Sequence, residues 1–283
     1  MSLIICKSVG HLRQQLAEER AKGRSIGFVP TMGALHAGHL SLLETALDET
    51  SVAVCSIFVN PTQFNDAKDL ERYPRTPEKD LAMLEQVGCH YLFMPDAAEL
   101  YAANEPLLDI NLGDLDKVME GAYRSGHFKG VATIVDKLFM IVEPHCAYFG
   151  EKDFQQLTVI RNMVHQLRHR IKIVGCPTLR EPDGLAMSSR NQLLTAEQRK
   201  DAPLIYKALQ QSALELKNLP IEEVKANVVA LINSSPFLKV QYFEIVDSST
   251  LENILSFTPN QTARGCIAVL TDGPRLIDNI AYS

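Results

Sequence analysis

The chain has 283 residues, of which 46% are hydrophobic and 22% are charged, so it falls outside the collagen-like, low-complexity and disordered classes. The formal net charge of −6 argues against a protein that binds nucleic acid through an extended basic surface, although it allows a local anion site. The longest apolar runs, such as Val52–Val59, are far shorter than the roughly 18–20 residues that span a bilayer, so no membrane partner is expected.

Six cysteines are dispersed along the chain without a C-x-x-C pair or other metal-like spacing. Such cysteines are typical of reduced core residues in a cytosolic protein. The short apolar segment Leu3–Cys6 lacks a basic leader and a long hydrophobic stretch, so we expect no signal peptide. Both observations predict a cytoplasmic location.

Short β-branched runs alternate with amphipathic stretches over the first part of the chain, a pattern typical of βαβ units. The predicted strands are Ile26–Pro30, Val52–Val59, Tyr91–Pro95, Ala147–Gly150 and Ile171–Gly175. The predicted helices are Gly38–Glu49, Pro77–Val87, Gly130–Val142 and Asp153–Arg168. We therefore expect an α/β fold with a Rossmann-like parallel-sheet domain over residues 1–176. Its ligands should bind in the loops that follow the strands.

After Gly175-Cys176-Pro177 the pattern changes to helices followed by strands, which predicts a smaller α+β C-terminal domain over residues 177–283. The predicted helices are Thr195–Lys217 and Ile221–Ser234, and the predicted strands are Val240–Val246, Cys266–Thr271 and Leu276–Ile280.

The segment Pro30–Leu40 lies where the first predicted strand gives way to the first predicted helix. Its spacing Gly33-x-x-x-x-Gly38 imitates a P-loop, but His39 follows where that motif needs Lys and then Ser or Thr, so a P-loop NTPase is not expected. The glycines still allow close backbone approach, and a helix N-terminus attracts anions. A phosphate site is therefore predicted here.

His36 and His39 are three residues apart, so both can project from the first helical turn toward a bound anion. A helix N-terminus disfavours an imidazolium and a bound triphosphate favours it, so we expect their charge to depend on nucleotide. An NMR titration with and without nucleotide tests this. Two alternatives stay open, namely ordinary turn histidines and a zinc site, although no clear third and fourth ligand lies nearby.

Two further segments carry groups suited to oxyanions. Phe149–Asp153 follows another predicted strand and places Lys152 at its end. Asp183–Asn191 holds Ser188, Ser189 and Arg190 in a loop in which Gly184 precedes them. Each segment alone is typical of solvated surface, so the prediction depends on their combination.

Taken together, these motifs resemble the pantothenate synthetase (pantoate–β-alanine ligase) family of the class I nucleotidyltransferase superfamily, over almost the whole chain. The segments that carry the resemblance are Pro30–Leu40, Phe58–Phe64, Tyr73–Thr76, Gly126–Phe128, Phe149–Gln156 and Met187–Asn191. One departure is Ser125, where the family commonly has proline, and the role of the adjacent Arg124 is open.

The resemblance implies an ATP-dependent ligase in pantothenate biosynthesis. Pantoate attacks the α-phosphate of ATP to give pantoyl adenylate and pyrophosphate, and the β-alanine amine then displaces AMP to give pantothenate. It also implies a homodimer, ATP as substrate and Mg²⁺ as cofactor, with no nucleic-acid partner. The protein ligands of the metal are unknown, with Asp80 and Asp153 as candidates, and an ion held largely by the phosphates is expected.

The resemblance also implies site residues. The catalytic residues would be His36, His39, Lys152 and Arg190, with His39 as proton donor. The ATP-binding residues would be Met32, Gly33, Ala34, Leu35, His36, Ala37, Gly38, His39, Gly150, Glu151, Lys152, Asp153, Leu179, Met187, Ser188, Ser189 and Arg190. The substrate-binding residues would be Gln63, Gln156 and Asn60. Alanine in place of either glutamine is expected to impair pantoate use more than ATP binding.

Other functions remain as alternatives. The nearest is another class I nucleotidyltransferase that acts on a phosphorylated acceptor, which would call for extra basic residues around Gln63 and Gln156. A nucleic-acid-binding relative is disfavoured by the acidic charge balance. A non-catalytic binding module is disfavoured because every motif position is filled. We expect the C-terminal domain to act as a lid that excludes water from the adenylate.

Overall fold

A computed structural model describes residues 3–64, 70–71, 73–102, 105–258 and 261–282. The chain forms two compact units. The first unit comprises Met1–Glu151 with Gln156–Pro177, and the second comprises Lys152–Gln155 with Thr178–Ser283. The functional division into residues 1–176 and 177–283 stays a prediction.

The first unit contains a six-stranded sheet whose described pairings are all parallel, in the order β1-β4-β3-β2-β5-β6. Its strands are β1 Ile4–Cys6, β2 Ile26–Thr31, β3 Val52–Ile57, β4 Tyr91–Phe93, β5 Cys146–Gly150 and β6 Lys172–Cys176. Its helices are α1 Val9–Ala21, α2 Ala37–Glu49, α3 Pro77–Val87, α4 Ala97–Leu100, α5 Glu120–Tyr123, α6 His127–Val142 and α7 Phe154–Gln166, whose first two residues belong to the second unit. The predicted Rossmann-like α/β fold is confirmed.

Strand order determines where this sheet offers a ligand site. β2 lies between β3 on one side and β5 on the other, and the chain crosses from one half of the sheet to the other at that point. In open parallel sheets the crevice at such a switch point, beyond the carboxyl ends of the strands, receives ligands. The loops after β2 and β5 are therefore the ones placed for binding.

Burial explains why the central strands were visible in the sequence. Every residue of β3 except Ile57 is buried, as expected of a parallel strand covered on both faces. Most predicted ends lie within two residues of the observed ones. α6 is an exception, because it begins at His127 after Gly126 adopts a left-handed conformation with φ of 77°. β1 and α1 were not predicted.

The second unit contains an antiparallel sheet of β7 Lys239–Asp247, β8 Ala263–Leu270 and β9 Leu276–Tyr282. Its helices are α8 Ala196–Asp201, α9 Leu204–Glu215 and α10 Ile221–Asn233. The prediction of one helix over Thr195–Lys217 is wrong, because Pro203 separates α8 from α9. Proline lacks the N–H that an interior position needs, and its ring clashes with the preceding turn. The predicted α+β character of this part is confirmed.

The cysteines are all free thiols, and Cys146 alone among them is only half-buried. Over the described ranges, the helices are too short or too polar to cross a membrane.

Candidate active site

The loop between β2 and α2 has an unusual backbone. Thr31 ends β2, and its hydroxyl donates to the Ser56 carbonyl at 2.8 Å while accepting from the Gly33 N–H at 3.2 Å. Gly33 and Ala34 then adopt left-handed conformations with φ of 81° and 48°. Glycine does so at little cost, but alanine does not, so other contacts must hold Ala34 in place.

Asp80 supplies those contacts from the first turns of α3. Its carboxylate accepts the Ala34 N–H at 2.9 Å through Oδ2 and the Leu35 N–H at 2.8 Å through Oδ1. The Thr76 hydroxyl also donates to Oδ1 at 2.9 Å. Asp80 is almost completely buried, and charge-assisted bonds of this kind are among the stronger hydrogen bonds in proteins. The carboxylate therefore fixes the loop.

His36 and His39 lie side by side at the start of α2. Their ring centroids are 4.1 Å apart, with 37° between the ring planes. His36 is the N-cap residue of the helix, and its Nδ1 accepts the Gly38 N–H at 3.1 Å. Because that nitrogen is the acceptor, the His36 proton is assigned to Nε2. The predicted pairing of these histidines at the helix N-terminus is present in the structure.

The segment after β3 places Asn60 and Gln63 in a buried polar cluster. Asn60 caps the 3₁₀ turn Pro61–Gln63, and its Nδ2 donates to Gln63 Oε1 at 3.3 Å and to the Gly130 carbonyl at 3.2 Å. Gln63 Nε2 in turn lies 2.7 Å from Met32 Sδ. Asn60 therefore orients the Gln63 amide, and the predicted substrate residue contacts the predicted ATP-binding loop.

Groups from α4 and α6 support this cluster. The Tyr101 hydroxyl, just after α4, donates to Asn60 Oδ1 at 2.8 Å, and burial raises the pKa of Tyr101. His127 Nδ1 lies 2.8 Å from the Gln63 carbonyl oxygen. Arg124 Nη1 lies 3.2 Å from His127 Nε2, and its Nη2 lies 3.5 Å from the Gln63 carbonyl oxygen. Arg124, whose role is open from the sequence, therefore lies beside the Gln63 backbone.

The carboxyl end of β5 carries Gly150, which leads into a 3₁₀ turn over Glu151–Asp153. A Cβ added at Gly150 would meet no described heavy atom within 4 Å, so the backbone is open to close approach at this strand end. Gln156 follows in α7 and is half-buried. The joint contact of Gln63 and Gln156 with one ligand stays a prediction.

In the second unit, Lys152 is held by a hydrogen bond to its backbone carbonyl and by an ion pair of its ammonium group. The Asn279 Nδ2, from β9, donates to the Lys152 carbonyl at 2.9 Å. The Lys152 Nζ lies 3.4 Å from Asp153 Oδ1. Asn279 was not predicted from the sequence, because its relevance depends on a contact with a residue 127 positions away.

The loop with the two serines begins as a short hairpin. Leu179 accepts the Met187 N–H at 3.0 Å, and the tip is formed by Gly184 with φ of 94°. Ser188 then caps the 3₁₀ turn Ser189–Leu193 by accepting the Arg190 N–H at 3.2 Å. The Ser188 hydroxyl hydrogen can still be donated to an oxyanion.

A buried ion pair supports this hairpin. Arg180 donates to both carboxylate oxygens of Asp278, at 2.6 and 2.9 Å, and stacks over the Tyr206 ring at 3.5 Å from its centroid. Burial raises the pKa of Asp278, and the hydrogen bonds from Arg180 oppose that shift. The guanidinium also donates to the Gly184 carbonyl at 3.1 Å, which ties the hairpin tip to β9.

A metal site built from protein ligands finds no support in the part of the chain that the structure describes. No group of three His, Cys, Asp or Glu is arranged there to hold an ion. Both oxygens of the candidate Asp80 accept backbone N–H groups, and Asp153 lies beside Lys152. The residues therefore do not fit a magnesium site of their own.

Comparison with known proteins identifies relatives along the whole chain. The model of the family described as Pantoate-beta-alanine ligase matches residues 4–281. A pantothenate synthetase from Porphyromonas gingivalis is 51% identical over 279 residues, which cover 98% of this chain and 99% of the relative. A pantothenate synthetase from Bacteroides thetaiotaomicron is 46% identical over 278 residues, covering 98% of both chains.

Solved structures agree with the sequence matches. The crystal structure of pantothenate synthetase from Thermus thermophilus has a TM-score of 0.91 and 42% identity, covering 98% of both chains. A pantoate–β-alanine ligase from Francisella tularensis, complexed with beta-gamma ATP and β-alanine, has a TM-score of 0.82 and 36% identity, covering 98% of this chain and 97% of that one. The chain therefore belongs to the pantoate–β-alanine ligase family of amide-bond-forming enzymes.

Proposed function

We propose that the protein condenses pantoate with β-alanine at the expense of ATP, through a pantoyl-adenylate intermediate, and releases AMP and pyrophosphate. The observation that carries this proposal is the His36–His39 pair at the N-terminus of α2, at the switch point of the sheet. A family match identifies the ligase, and this geometry suits it to a nucleoside triphosphate. The Francisella tularensis relative was solved with beta-gamma ATP and β-alanine, which supports both as substrates.

In the first step a pantoate carboxylate oxygen forms a bond to the α-phosphorus, and the bond from that phosphorus to the bridging oxygen breaks. Pyrophosphate leaves with the electron pair. Such a displacement needs positioning and charge stabilisation more than covalent help from the enzyme. We propose that His36 donates from Nε2 to the phosphates and that His39 acts as proton donor. Lys152 and Arg190 would add positive charge on the phosphate oxygens.

In the second step the neutral amine of β-alanine attacks the acyl carbon of the adenylate. A C–N bond forms, the bond from that carbon to the AMP oxygen breaks with its electron pair, and the amine proton passes to the departing AMP phosphate. The adenylate is a mixed anhydride that water can also hydrolyse, so the site must exclude water. A lid role for residues 177–283 is part of this proposal.

Gln63, Gln156 and Asn60 are proposed to bind pantoate. Asn60 donates to Gln63 Oε1, which orients the amide, and Nε2 is the side-chain donor that Gln63 offers to a ligand oxygen. Its contact with Met32 Sδ involves a weak acceptor, which a carboxylate or hydroxyl oxygen would readily replace. A neutral amide orients a carboxylate without the charge pairing of a bidentate arginine, and the carboxylate therefore stays nucleophilic.

The proposed ATP-binding residues follow the two strand ends and the serine loop. They are Met32, Gly33, Ala34, Leu35, His36, Ala37, Gly38, His39, Gly150, Glu151, Lys152, Asp153, Leu179, Met187, Ser188, Ser189 and Arg190. We propose that Mg²⁺ arrives with ATP and is held by its phosphates, a binding mode common for this ion.

Two further proposals concern the protein as a whole. We propose a homodimer, for which light scattering of the purified chain is the test. We also propose a cytoplasmic location, which the free cysteines favour because cytosolic thiols stay reduced. Cell fractionation tests the second proposal.

The decisive experiment separates the two half-reactions. The protein is incubated with ATP and pantoate alone, and pyrophosphate is measured before β-alanine is added. We expect pyrophosphate to form first, with AMP and pantothenate appearing after the addition of β-alanine. Absence of pyrophosphate in the first stage would rule out the adenylate route.

The same assay examines the alternative function. Phosphopantetheine or nicotinamide mononucleotide replaces pantoate, and pyrophosphate is measured again. Release with a phosphorylated acceptor and not with pantoate would identify another nucleotidyltransferase of the superfamily.

A further inference from the structure

We infer that Asp80 is a positioning residue for adenylation: it holds the loop that carries His36 and so sets the arrangement of the His36–His39 pair. This inference rests on the proposed function of that pair. Asp80 belongs to α3 and lies 44 positions beyond His36 in the chain. It acts through the loop backbone and is given no contact with a substrate.

The loop needs an anchor because its conformation is costly. Two consecutive residues, Gly33 and Ala34, have positive φ, and the side chain of Ala34 is disfavoured there. The buried N–H groups of Ala34 and Leu35 donate to Asp80 and would be unsatisfied without an acceptor. Asp80 satisfies both with one carboxylate. This bidentate arrangement fixes the orientation of the loop backbone and its distance from α3.

The anchor lies immediately next to the proposed catalytic group. Leu35 is bonded to Asp80, and the next residue, His36, caps α2 through Nδ1. Any movement of the Leu35 amide therefore changes the start of the helix and the ring of His36. The ring of His39 follows, because it lies one helical turn further on, at 4.1 Å from the first.

The test replaces Asp80 by asparagine and compares it with Glu19→Gln. Asparagine keeps one acceptor oxygen but places an NH₂ group against the second backbone N–H, so one of the two bonds must break. Glu19 is a matched control, because it is also a buried carboxylate of the first unit, with Lys22 and Arg24 as partners. Both variants lose a buried charge, but only one touches the loop.

Two measurements distinguish positioning from general stability. The first is the NMR signals of the His36 and His39 rings without nucleotide, and the second is pyrophosphate release from ATP and pantoate. We expect Asp80→Asn to shift both ring signals and to lower kcat by about tenfold or more, because small misplacements of reacting groups carry large rate costs. Glu19→Gln should lower the thermal midpoint and leave the ring signals and kcat unchanged.

The inference is overturned if Asp80→Asn leaves the ring signals and kcat at wild-type values, or if both variants alter them equally. If Asp80→Asn does not fold, Asp80→Glu decides the question, since it keeps the charge and moves the oxygens by one methylene. Unchanged ring signals and kcat in Asp80→Glu would then overturn the inference. Failure of the proposed function is separate: the wild-type protein would release no pyrophosphate, while the ring signals would still report on Asp80.

Discussion

His36 caps α2 through one ring nitrogen and is proposed to donate to ATP through the other. Its Nδ1 accepts the Gly38 N–H and caps α2, so the ring proton that a ligand could accept is on Nε2. Protonation of Nδ1 would remove the acceptor that caps the helix.

Substitution of His36 separates the two roles. Asparagine is a good N-cap residue, so His36→Asn should keep the stability of wild type, whereas His36→Ala should lose about 1 kcal/mol of unfolding free energy. Both should lose most of the pyrophosphate release, because neither retains the imidazole donor. Urea unfolding and the half-reaction assay provide the measurements. Retained activity in His36→Asn would show that capping is the only role of this residue.

At the scale of elements, the position of Gln63 depends on how closely α6 approaches the 3₁₀ turn Pro61–Gln63. Gly130 allows this approach, because a Cβ at that position would lie 2.4 Å from the Thr62 carbonyl oxygen. The same contact lets Asn60 reach the Gly130 carbonyl. A single glycine therefore sets the distance between a helix and the proposed pantoate site.

Gly130→Ala should lower the unfolding free energy by about 1–3 kcal/mol through overpacking. It should also raise the KM for pantoate, because the turn that is displaced carries Gln63. Gly10→Ala is the matched control: it also lies in the first turns of a helix, α1, but meets nothing within 4 Å among the described residues. That change should stabilise the fold by about 0.5–1 kcal/mol. Equal effects of the two variants would contradict this account.

Two histidines at the amino edge of the sheet accept hydrogen bonds from strand backbone groups. His90 Nδ1 accepts the Ala53 N–H at 3.1 Å, and His145 Nδ1 accepts the Ile26 N–H at 2.9 Å. Both rings thus bond to backbone groups at the start of central strands. Burial lowers the pKa of His90, and the nearby Glu19 carboxylate partly opposes this shift.

A lowered pKa in the folded state makes stability depend on pH in a defined direction. The unfolded chain binds a proton at His90 near its ordinary pKa of about 6.5, while the folded chain binds it only at lower pH. The contribution of neutral His90 to the free energy of unfolding is therefore complete above about pH 6.5. It is lost as the pH falls from that value toward the folded-state pKa. Urea unfolding over this range should show a steeper decline for wild type than for His90→Asn. Parallel curves would refute the assignment.

At the scale of the whole molecule, an acidic chain is proposed to bind a polyanion, and local geometry explains how. The net charge is −6, but the carboxyl edge of the sheet presents the N-terminus of α2 and two histidines. In the second unit, Lys152 and Arg190 are the cations proposed to contact phosphates, and hydrogen bonds hold the backbone of both. A net charge of −6 therefore argues against binding of an extended polyanion, but it is compatible with binding of a compact one.

Stability in the second unit should depend on the Arg180–Asp278 pair. Asp278→Ala leaves a guanidinium without its bidentate partner in a buried setting, which should cost about 3–5 kcal/mol of unfolding free energy. Asp114→Ala, which removes the well-exposed pair with Lys117, should leave urea unfolding essentially unchanged. A similar loss in both variants would indicate that burial of the pair is not the deciding factor.

The sequence allowed most of the first sheet to be predicted, because central parallel strands such as β3 are continuous apolar runs. The paired histidines were also visible, since their spacing is local. From the sequence, Asp80 is only a metal candidate, because its partners Ala34 and Leu35 lie more than 40 positions away. No local pattern reveals a contact of that kind.

Two other differences between the predicted and the observed helices have equally specific causes. α1 was not predicted, because only Leu12, Leu16 and Glu19 of its residues are buried and its apolar stripe is thin. The helix predicted over Thr195–Lys217 was too long, because its apolar periodicity was followed across Pro203. In both cases the pattern of hydrophobic residues alone did not give the bounds of the helices.

The contact between Gln63 Nε2 and Met32 Sδ, at 2.7 Å, exposes the enzyme to chemical damage. Oxidation of the thioether would add a polar oxygen beside the Gln63 amide and would turn a weak acceptor into a strong one. Gln63 would then donate to the sulfoxide and would no longer be available to the proposed substrate. Peroxide treatment should therefore raise the KM for pantoate, and Met32→Leu should abolish that sensitivity. Reduction of the sulfoxide by a methionine sulfoxide reductase should restore the original KM.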